Sequence, residues 1–180
     1  MKKLMILSLA LLSAGMYGCS KNSNADNQVN GEDVSFLNAA SRANTTEIKF
    51  GMLAVDSAQD PAIKSFAQMM IDDHTNAQTE LAALAKNQGI TLPDSTDDEH
   101  RMFKQRLMLV SGNSFDSAYI QSQVRDHVKT IALFQAEIKN GLDAQTKAYA
   151  SKLLPKLQMH LQHAQALASN MGMRNMQQQQ

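Results

Sequence analysis

Four side chains with the chemistry of metal ligands interrupt the apolar repeats of this sequence. Each stands where the four-three spacing of a buried helix face calls for an apolar residue: Glu47, His74, His127 and His160. A buried imidazole needs a hydrogen-bond partner or a metal ion, because burying it unpaired is costly. One carboxylate and three imidazoles suit zinc, iron, manganese or copper ions. The pattern predicts either one transition-metal ion at these residues or a metal-free Glu–His network that fixes the register of the helices.

The clearest of these repeats predicts a helix from Pro61 to about Asn87. Its apolar positions include Met70 and Ala77, and His74 falls between them at the same spacing. Asp60 followed by Pro61 is a typical helix start, and Gly89 is a typical left-handed stop.

Similar repeats predict three more long helices, over about Ser35–Ser57, Ser114–Asn140 and Asp143–Asn170. The residues Thr96-Asp97-Asp98-Glu99 predict the start of a short helix that ends near Val110, within a long crossover between helices two and three. Tryptophan is absent and aromatic residues are few, which favours helices over sheet. We expect an all-α four-helix bundle with a short crossover helix.

The four polar residues should also stand at one level of the bundle. Glu47 precedes the first interhelical turn by roughly eleven residues and His74 follows it by roughly fifteen, so a rise of about 1.5 Å per residue leaves their levels close. His127 and His160 flank the last turn in the same way. We therefore expect the four side chains to converge.

Other ionisable residues compete for roles at this site. Glu137 is ten residues beyond His127, which places it about 15 Å away along the helix axis, and it flanks the apolar face. Asp73 and Asp126 each precede a histidine of the set and could orient the ligands, although solvated surface charges are the alternative. His163 falls off the apolar face and is expected to be exposed, and His100 has no evident partner.

The N-terminus predicts export. Lys2 and Lys3 precede an apolar run at residues 4–14 that is too short to span a bilayer, and the only cysteine, Cys19, follows the small residue Gly18. This arrangement resembles the lipobox of bacterial lipoproteins, with lipidation at Cys19 as the membrane anchor; an ordinary secretory signal is the alternative. Because Ser20 follows the cysteine, we expect the periplasmic face of the outer membrane.

The chain therefore divides into four segments: a signal peptide at 1–18, a lipidated cysteine and flexible tether at 19–32, a helical bundle at 33–170 and a disordered tail at 171–180. The 17 basic and 17 acidic residues form no basic block, which argues against nucleic acid as a partner. No protein partner can be named from the sequence.

Several motifs together resemble a known family. FAQMMIDDH, the turn TLPDS, the stretch SGNSFDSAYIQSQVRDHVKTIALFQAEI and LLPKLQMHLQHA are similar to the ferritin-like domain-of-unknown-function family 4142 over about Asp33 to Leu167. The resemblance implies a ferritin-like four-helix bundle in an exported periplasmic or outer-membrane protein. It implies no activity.

Enzyme chemistry is disfavoured. Di-iron carboxylate bundles use Glu-x-x-His pairs, but Ile71 and Leu157 stand three residues before His74 and His160. No nucleophile–base pair, phosphate loop or nucleotide fingerprint appears. We expect an envelope protein that binds one transition-metal ion through core Glu and His; the alternative is a non-catalytic structural, interaction or stress lipoprotein.

Overall fold

The computed structural model describes residues 29–177, with side chains described as far as residue 172. Helices make up 85% of this part of the chain, and no strand occurs in it. The helices are α1 (Gly31–Ser57), α2 (Pro61–Asn87), α3 (Asp98–Leu107), α4 (Gly112–Asn140) and α5 (Ala144–Gln177). The predicted all-α bundle of four long helices with a short crossover helix is confirmed.

Local sequence explains where the helices begin. Asn30 forms a capping box with Asp33 at the start of α1, and Asp60 accepts a hydrogen bond from the backbone of Ala62 at the start of α2. At the start of α5, Asp143 Oδ1 accepts from the Thr146 backbone N–H at 2.7 Å, as expected of the predicted cap. These polar side chains satisfy backbone donors that the first turn of a helix leaves free.

The four long helices follow an up-down-down-up order, as a long crossover requires. Phe36 near the start of α1 contacts Phe134 near the end of α4, so these two helices are antiparallel. Lys152 of α5 pairs with Glu80 of α2, and the short turns make α1 antiparallel to α2 and α4 antiparallel to α5. Residues 88–111 therefore carry the chain back along the length of the bundle, with α3 against α4. This is the ferritin-like topology.

Two apolar clusters fill the core, one toward each end of the bundle. Phe50, Phe66 and Tyr119 belong to the upper cluster. Phe36 and Phe134 belong to the lower one. A layer of buried polar residues separates the two clusters, and it consists of Asn44, Glu47, His74, Gln123, His127 and His160. All four sequence-predicted site residues therefore lie in a single layer.

The structure changes several predicted boundaries. The last helix continues to Gln177 rather than ending at Asn170, because Met171 is buried in the upper cluster and extends the packed face. The segment 171–180 is thus helical through Gln177. The first helix begins at Gly31, four residues early, because Asn30 caps it, and Asp97 rather than Thr96 caps α3.

The signal segment, Cys19 and most of the tether lie outside the described residues. Within residues 29–177, no helix has the length and apolar character needed to cross a bilayer.

Candidate metal centre

Three histidines from three helices meet at the centre of the polar layer. One ring nitrogen from each of His74 (α2), His127 (α4) and His160 (α5) lies within 4.8 Å of the other two. The closest pair is His127 Nε2 and His160 Nδ1, which are 3.4 Å apart. All three residues are at least 96% buried, so bulk water does not fill the space between them.

Two of the histidines are oriented by hydrogen bonds at their outer nitrogens. His127 Nδ1 lies 2.9 Å from the backbone oxygen of Gln123, which can only accept, so Nδ1 bears the proton. His160 Nε2 lies 2.9 Å from Asp73 Oδ2, and the carboxylate in turn accepts from Lys156. The inner nitrogens, His127 Nε2 and His160 Nδ1, are therefore left with lone pairs in the neutral rings.

A chain of hydrogen bonds places the proton of His74 on its outer nitrogen as well. The Ser41 hydroxyl donates to the carbonyl of Pro93 at 2.8 Å and must then accept from Gln78 Nε2 at 2.9 Å. Gln78 consequently presents its oxygen to the amide nitrogen of Asn44 at 3.2 Å, which turns Asn44 Oδ1 toward His74 Nδ1 at 3.0 Å. His74 Nδ1 donates this last bond.

The inner nitrogen of His74 therefore also carries a lone pair. His74 Nε2 is buried and has no hydrogen-bond partner. Three imidazole acceptors thus converge with no donor among the three nitrogens. Burying unpaired acceptors costs about 1–3 kcal/mol each, and a bound cation would relieve that cost.

The histidines are uncharged in the metal-free protein near neutral pH. Burial lowers the pKa of His127 to about 4 and that of His160 to about 4, although the hydrogen bond from His160 to Asp73 opposes the shift. The pKa of His74 is also well below its ordinary value, first through burial and then through its two histidine neighbours. Neutral imidazole is the form that binds metals, so protons compete little for these ligands at pH 7.

The geometry of the cluster fits one transition-metal ion. Zinc–imidazole bonds of about 2.0–2.1 Å in a tetrahedral site put ligand nitrogens roughly 3.3 Å apart, close to the 3.4 Å between His127 and His160. The remaining separations between ligand nitrogens are at most 4.8 Å. Each outer nitrogen is already held, as is usual for metal-binding histidines. Three protein ligands leave a fourth position for solvent or a small ligand.

Glu47, the fourth predicted ligand, lies in the layer but outside the histidine cluster. Its Oε1 is 3.7 Å from His127 Nδ1, the outer nitrogen, and its Oε2 accepts from Gln123 Nε2 at 2.7 Å. Burial raises the pKa of Glu47 to about 8, partly offset by the Gln123 bond, so the carboxyl is largely protonated at pH 7. Glu47 therefore lies on the outer side of His127, away from the cluster, and is not positioned to be a ligand.

The two aspartates that precede histidines have different partners. Asp73 orients His160, as proposed for a residue behind the ligands. Asp126 is buried and contacts His100 and Arg125. The alternative of a solvated charge is therefore wrong for Asp126, and His100 has two acidic partners, the other being Asp97 at 2.8 Å.

Glu137 and His163 lie apart from the histidine cluster. Glu137 is buried near the lower end of the bundle, where its carboxyl lies against Gly141 and beside Asp33. His163 is exposed, as predicted, with its ring edge-on to Phe66. Neither residue belongs to the group of ligand nitrogens.

Sequence reasoning missed the residues that orient the ligands, above all Asn44 and Gln123. A signal for Asn44 was present: Leu37, Ala40, Asn44, Glu47 and Gly51 follow the same four-three spacing, and all five are buried. The prediction instead assigned Ala43 to the apolar face, but Ala43 is only partly buried. In the same way, the prediction assigned the partly buried neighbour Val124, and not Gln123, to the apolar face.

The fold is similar to several solved structures. A DUF305 fragment from Deinococcus radiodurans superposes with a TM-score of 0.69 at 11% identity, over 79% of this chain and 98% of its own. A DUF305 protein from Streptomyces coelicolor, inferred to be secreted, gives 0.67 at 12% identity over 82% and 96%. A conserved hypothetical protein from Mycobacterium tuberculosis gives 0.59 at 12% identity over 77% and 91%. At these identities the likeness shows the fold alone.

Sequence comparison identifies the family. No curated protein matches the chain. The model of the domain of unknown function DUF4142 matches residues 19–167, most of the chain and nearly the whole bundle. The chain therefore belongs to the DUF4142 family.

Proposed function

We propose that this protein binds a single transition-metal ion through His74, His127 and His160. The convergence of three buried, neutral imidazole nitrogens whose outer nitrogens are all held by acceptors supports this function best. Neutral imidazole donors favour zinc, copper, iron, cobalt or nickel over calcium or magnesium, which prefer oxygen ligands. The biological role would be to buffer or sense such a metal.

Metal analysis and thermal unfolding test the proposal together. The mature protein is stripped with a chelator, and its melting temperature is measured with and without Zn²⁺, Co²⁺, Ni²⁺ and Cu²⁺. At a free metal concentration 100 times Kd, binding to the native state alone stabilises it by about 2.7 kcal/mol. After metal is added to the stripped protein, we expect it to bind about one equivalent and its melting temperature to rise.

Two histidine variants make the test specific. His74→Ala removes a proposed ligand and should abolish or greatly weaken the response to metal, whatever it does to the metal-free stability. His163→Ala is the matched control, since it removes an exposed histidine one turn from His160 and should respond like the unchanged protein. Equal responses of the unchanged protein and His74→Ala would reject the site.

A metal-free structural role is the competing function. It is favoured by the partners that Glu47 and the outer histidine nitrogens already have within the bundle. In that case the layer would fix the register of the helices in a structural, interaction or stress protein. No divalent metal would then raise the melting temperature, and His74→Ala would differ from the unchanged protein only in stability.

We also propose that the protein is exported and anchored in the cell envelope by a lipid on Cys19. The supporting observations are the charged and apolar N-terminal segment, the position of Cys19 after Gly18, and the structural similarity to a Streptomyces protein inferred to be secreted. Ser20 favours the outer membrane as the final location. Cys19→Ala should shift the protein from the membrane to the soluble periplasmic fraction; continued membrane association would reject the lipid anchor.

A further inference from the structure

A small cavity beside the histidine cluster leads toward the surface between α2 and α5. Its volume is about 10 Å³, close to the space one water molecule needs. Its lining includes two of the clustered histidines and the side chains that cover them: His74, His160, Asp73, Leu153, Lys156 and Leu157. The cavity thus connects His74 and His160 with partly exposed residues.

A lysine stands at the outer end of this connection. Lys156 Nζ lies 2.6 Å from Asp73 Oδ1, and Asp73 Oδ2 lies 2.9 Å from His160 Nε2. The Lys156 side chain is 44% exposed and that of Asp73 is 19% exposed. Lys156 is therefore the most exposed member of a chain of contacts that ends on a histidine of the cluster.

The other approaches to the cluster are more heavily covered. The upper and lower sides are closed by the two apolar clusters. On the side of α1 and α4, His127 is backed by Glu47 and Gln123, and the crossover helix packs outside them, with His100 against Phe50. The gap between α2 and α5 holds a cavity that two of the clustered histidines line.

We infer that metal ions enter the centre between α2 and α5, past the Asp73–Lys156 pair, and that Lys156 slows their entry. This inference rests on the proposed metal-binding function. The ammonium group repels an approaching cation, and the aliphatic stem of the side chain covers the cavity. Asp73 is the acidic group that an entering ion would meet once Lys156 moves aside.

The bundle offers a matched control for the charge of Lys156. Lys152, one turn earlier on α5, pairs with Glu80 of α2 at 2.8 Å in the same kind of interhelical ion pair. Neither Lys152 nor Glu80 lines the cavity. Lys152→Met therefore removes the same charge and the same type of ion pair without opening the route.

The experiment measures the rate of Co²⁺ uptake by the metal-free full mature protein, followed by the visible absorption of the bound ion in a stopped-flow instrument. Lys156→Met removes the charge and keeps the bulk of the stem, and Lys156→Ala removes both. We expect the association rate to rise roughly three- to tenfold in Lys156→Met, since removing a repulsive charge changes steered rates on this scale. The rate should rise further in Lys156→Ala and stay within about twofold of the unchanged protein in Lys152→Met. The gain in Lys156→Met should shrink at high salt.

The outcomes separate this inference from the proposed function. Equal acceleration in Lys156→Met and Lys152→Met would mean a general effect of net charge and would overturn the inference, as would unchanged rates in both Lys156 variants. In either case, the proposed metal-binding function would still stand as long as the unchanged protein binds Co²⁺. Failure of the unchanged protein to bind Co²⁺ would overturn the proposed function and this inference with it.

Discussion

At the scale of single residues, the arrangement around His74 matters as much as the histidine itself. The hydrogen bond from His74 Nδ1 to Asn44 Oδ1 leaves Nε2 as an acceptor that faces the other two rings. Asn44 is held in turn by Gln78 and by the hydroxyl of Tyr149, at 3.2 and 3.4 Å. An amide that could rotate would let His74 change tautomer and withdraw its lone pair from the cluster.

Replacing Asn44 by leucine should therefore weaken metal binding without removing any ligand. We expect the affinity for Zn²⁺ to fall about 10- to 100-fold, the usual effect of losing a group that orients a ligand. Competition with a chromophoric chelator measures the affinity. Ser41→Ala breaks the network two bonds farther away and should have a smaller effect. An unchanged affinity in Asn44→Leu would show that His74 is oriented by packing alone.

At the scale of helices, the crossover helix α3 is held to the bundle by a charged histidine. His100 lies between Asp97, at 2.8 Å, and Asp126, at 3.6 Å, and its ring packs edge-on against Phe50. The contact with Asp126 and the hydrogen bond to Asp97 raise the pKa of His100 to about 9 despite partial burial. His100 is therefore a cation at neutral pH, and it links the crossover to α4.

His100→Gln should loosen α3 more than it loosens the long helices. We expect a loss of about 1–2 kcal/mol in the free energy of unfolding, because Asp126 loses a charged partner while remaining buried. Amide exchange should accelerate mainly over α3. The control is Arg101→Gln, which breaks an exposed ion pair with Asp98 on the same helix and should cost less than about 0.5 kcal/mol. Similar losses in both variants would contradict a special role for His100.

Periodicity predicted the helices and the meeting of the three histidines, because heptad spacing and equal distances from the turns determine both. It could not predict which way a polar side chain points within the layer. Glu47 occupies the predicted level, yet its carboxyl group accepts a hydrogen bond from Gln123 and only His74, His127 and His160 form the cluster. The partners of His100 could not be predicted either, because they depend on where a 24-residue crossover packs against the bundle. No local sequence repeat indicates that position.

At the scale of the whole molecule, the buried ionisable groups predict how stability depends on pH. Below pH 6.5 the unfolded chain binds protons on His74, His127 and His160. The folded protein does not bind them at that pH, and His127 and His160 become protonated in it only near pH 4. The folded protein is therefore destabilised as pH falls through this window. Glu47 and Glu137, whose pKa values rise to about 8 and about 7, have the opposite effect on stability. Above pH 4.5, the ordinary pKa of a glutamate, their contribution falls as the pH rises.

The balance between these groups changes sign near pH 6.5. Below that pH three histidines outweigh two carboxyls, so stability rises with pH. Above it the three clustered histidines no longer titrate in either state, while the folded protein must release protons from Glu47, Glu137 and His100 that the unfolded chain has already lost. Stability should then fall as pH rises toward 9. The metal-free protein should be most stable between about pH 6 and 7 and lose stability on each side.

Urea unfolding of the metal-free protein from pH 4 to pH 9.5 measures this profile. Glu47→Gln retains an oxygen acceptor for Gln123 but cannot ionise, so its stability should decline less than that of the unchanged protein between pH 6.5 and pH 8. Glu80→Gln, which neutralises a partly exposed carboxylate at the surface, should keep the original shape. A stability that continues to increase from pH 7 to pH 9 would mean that Glu47 is already ionised in the fold. The carboxylate would then be available as a fourth ligand, and a turn of its side chain toward the histidines would restore the four-residue site that its place in the heptad predicts.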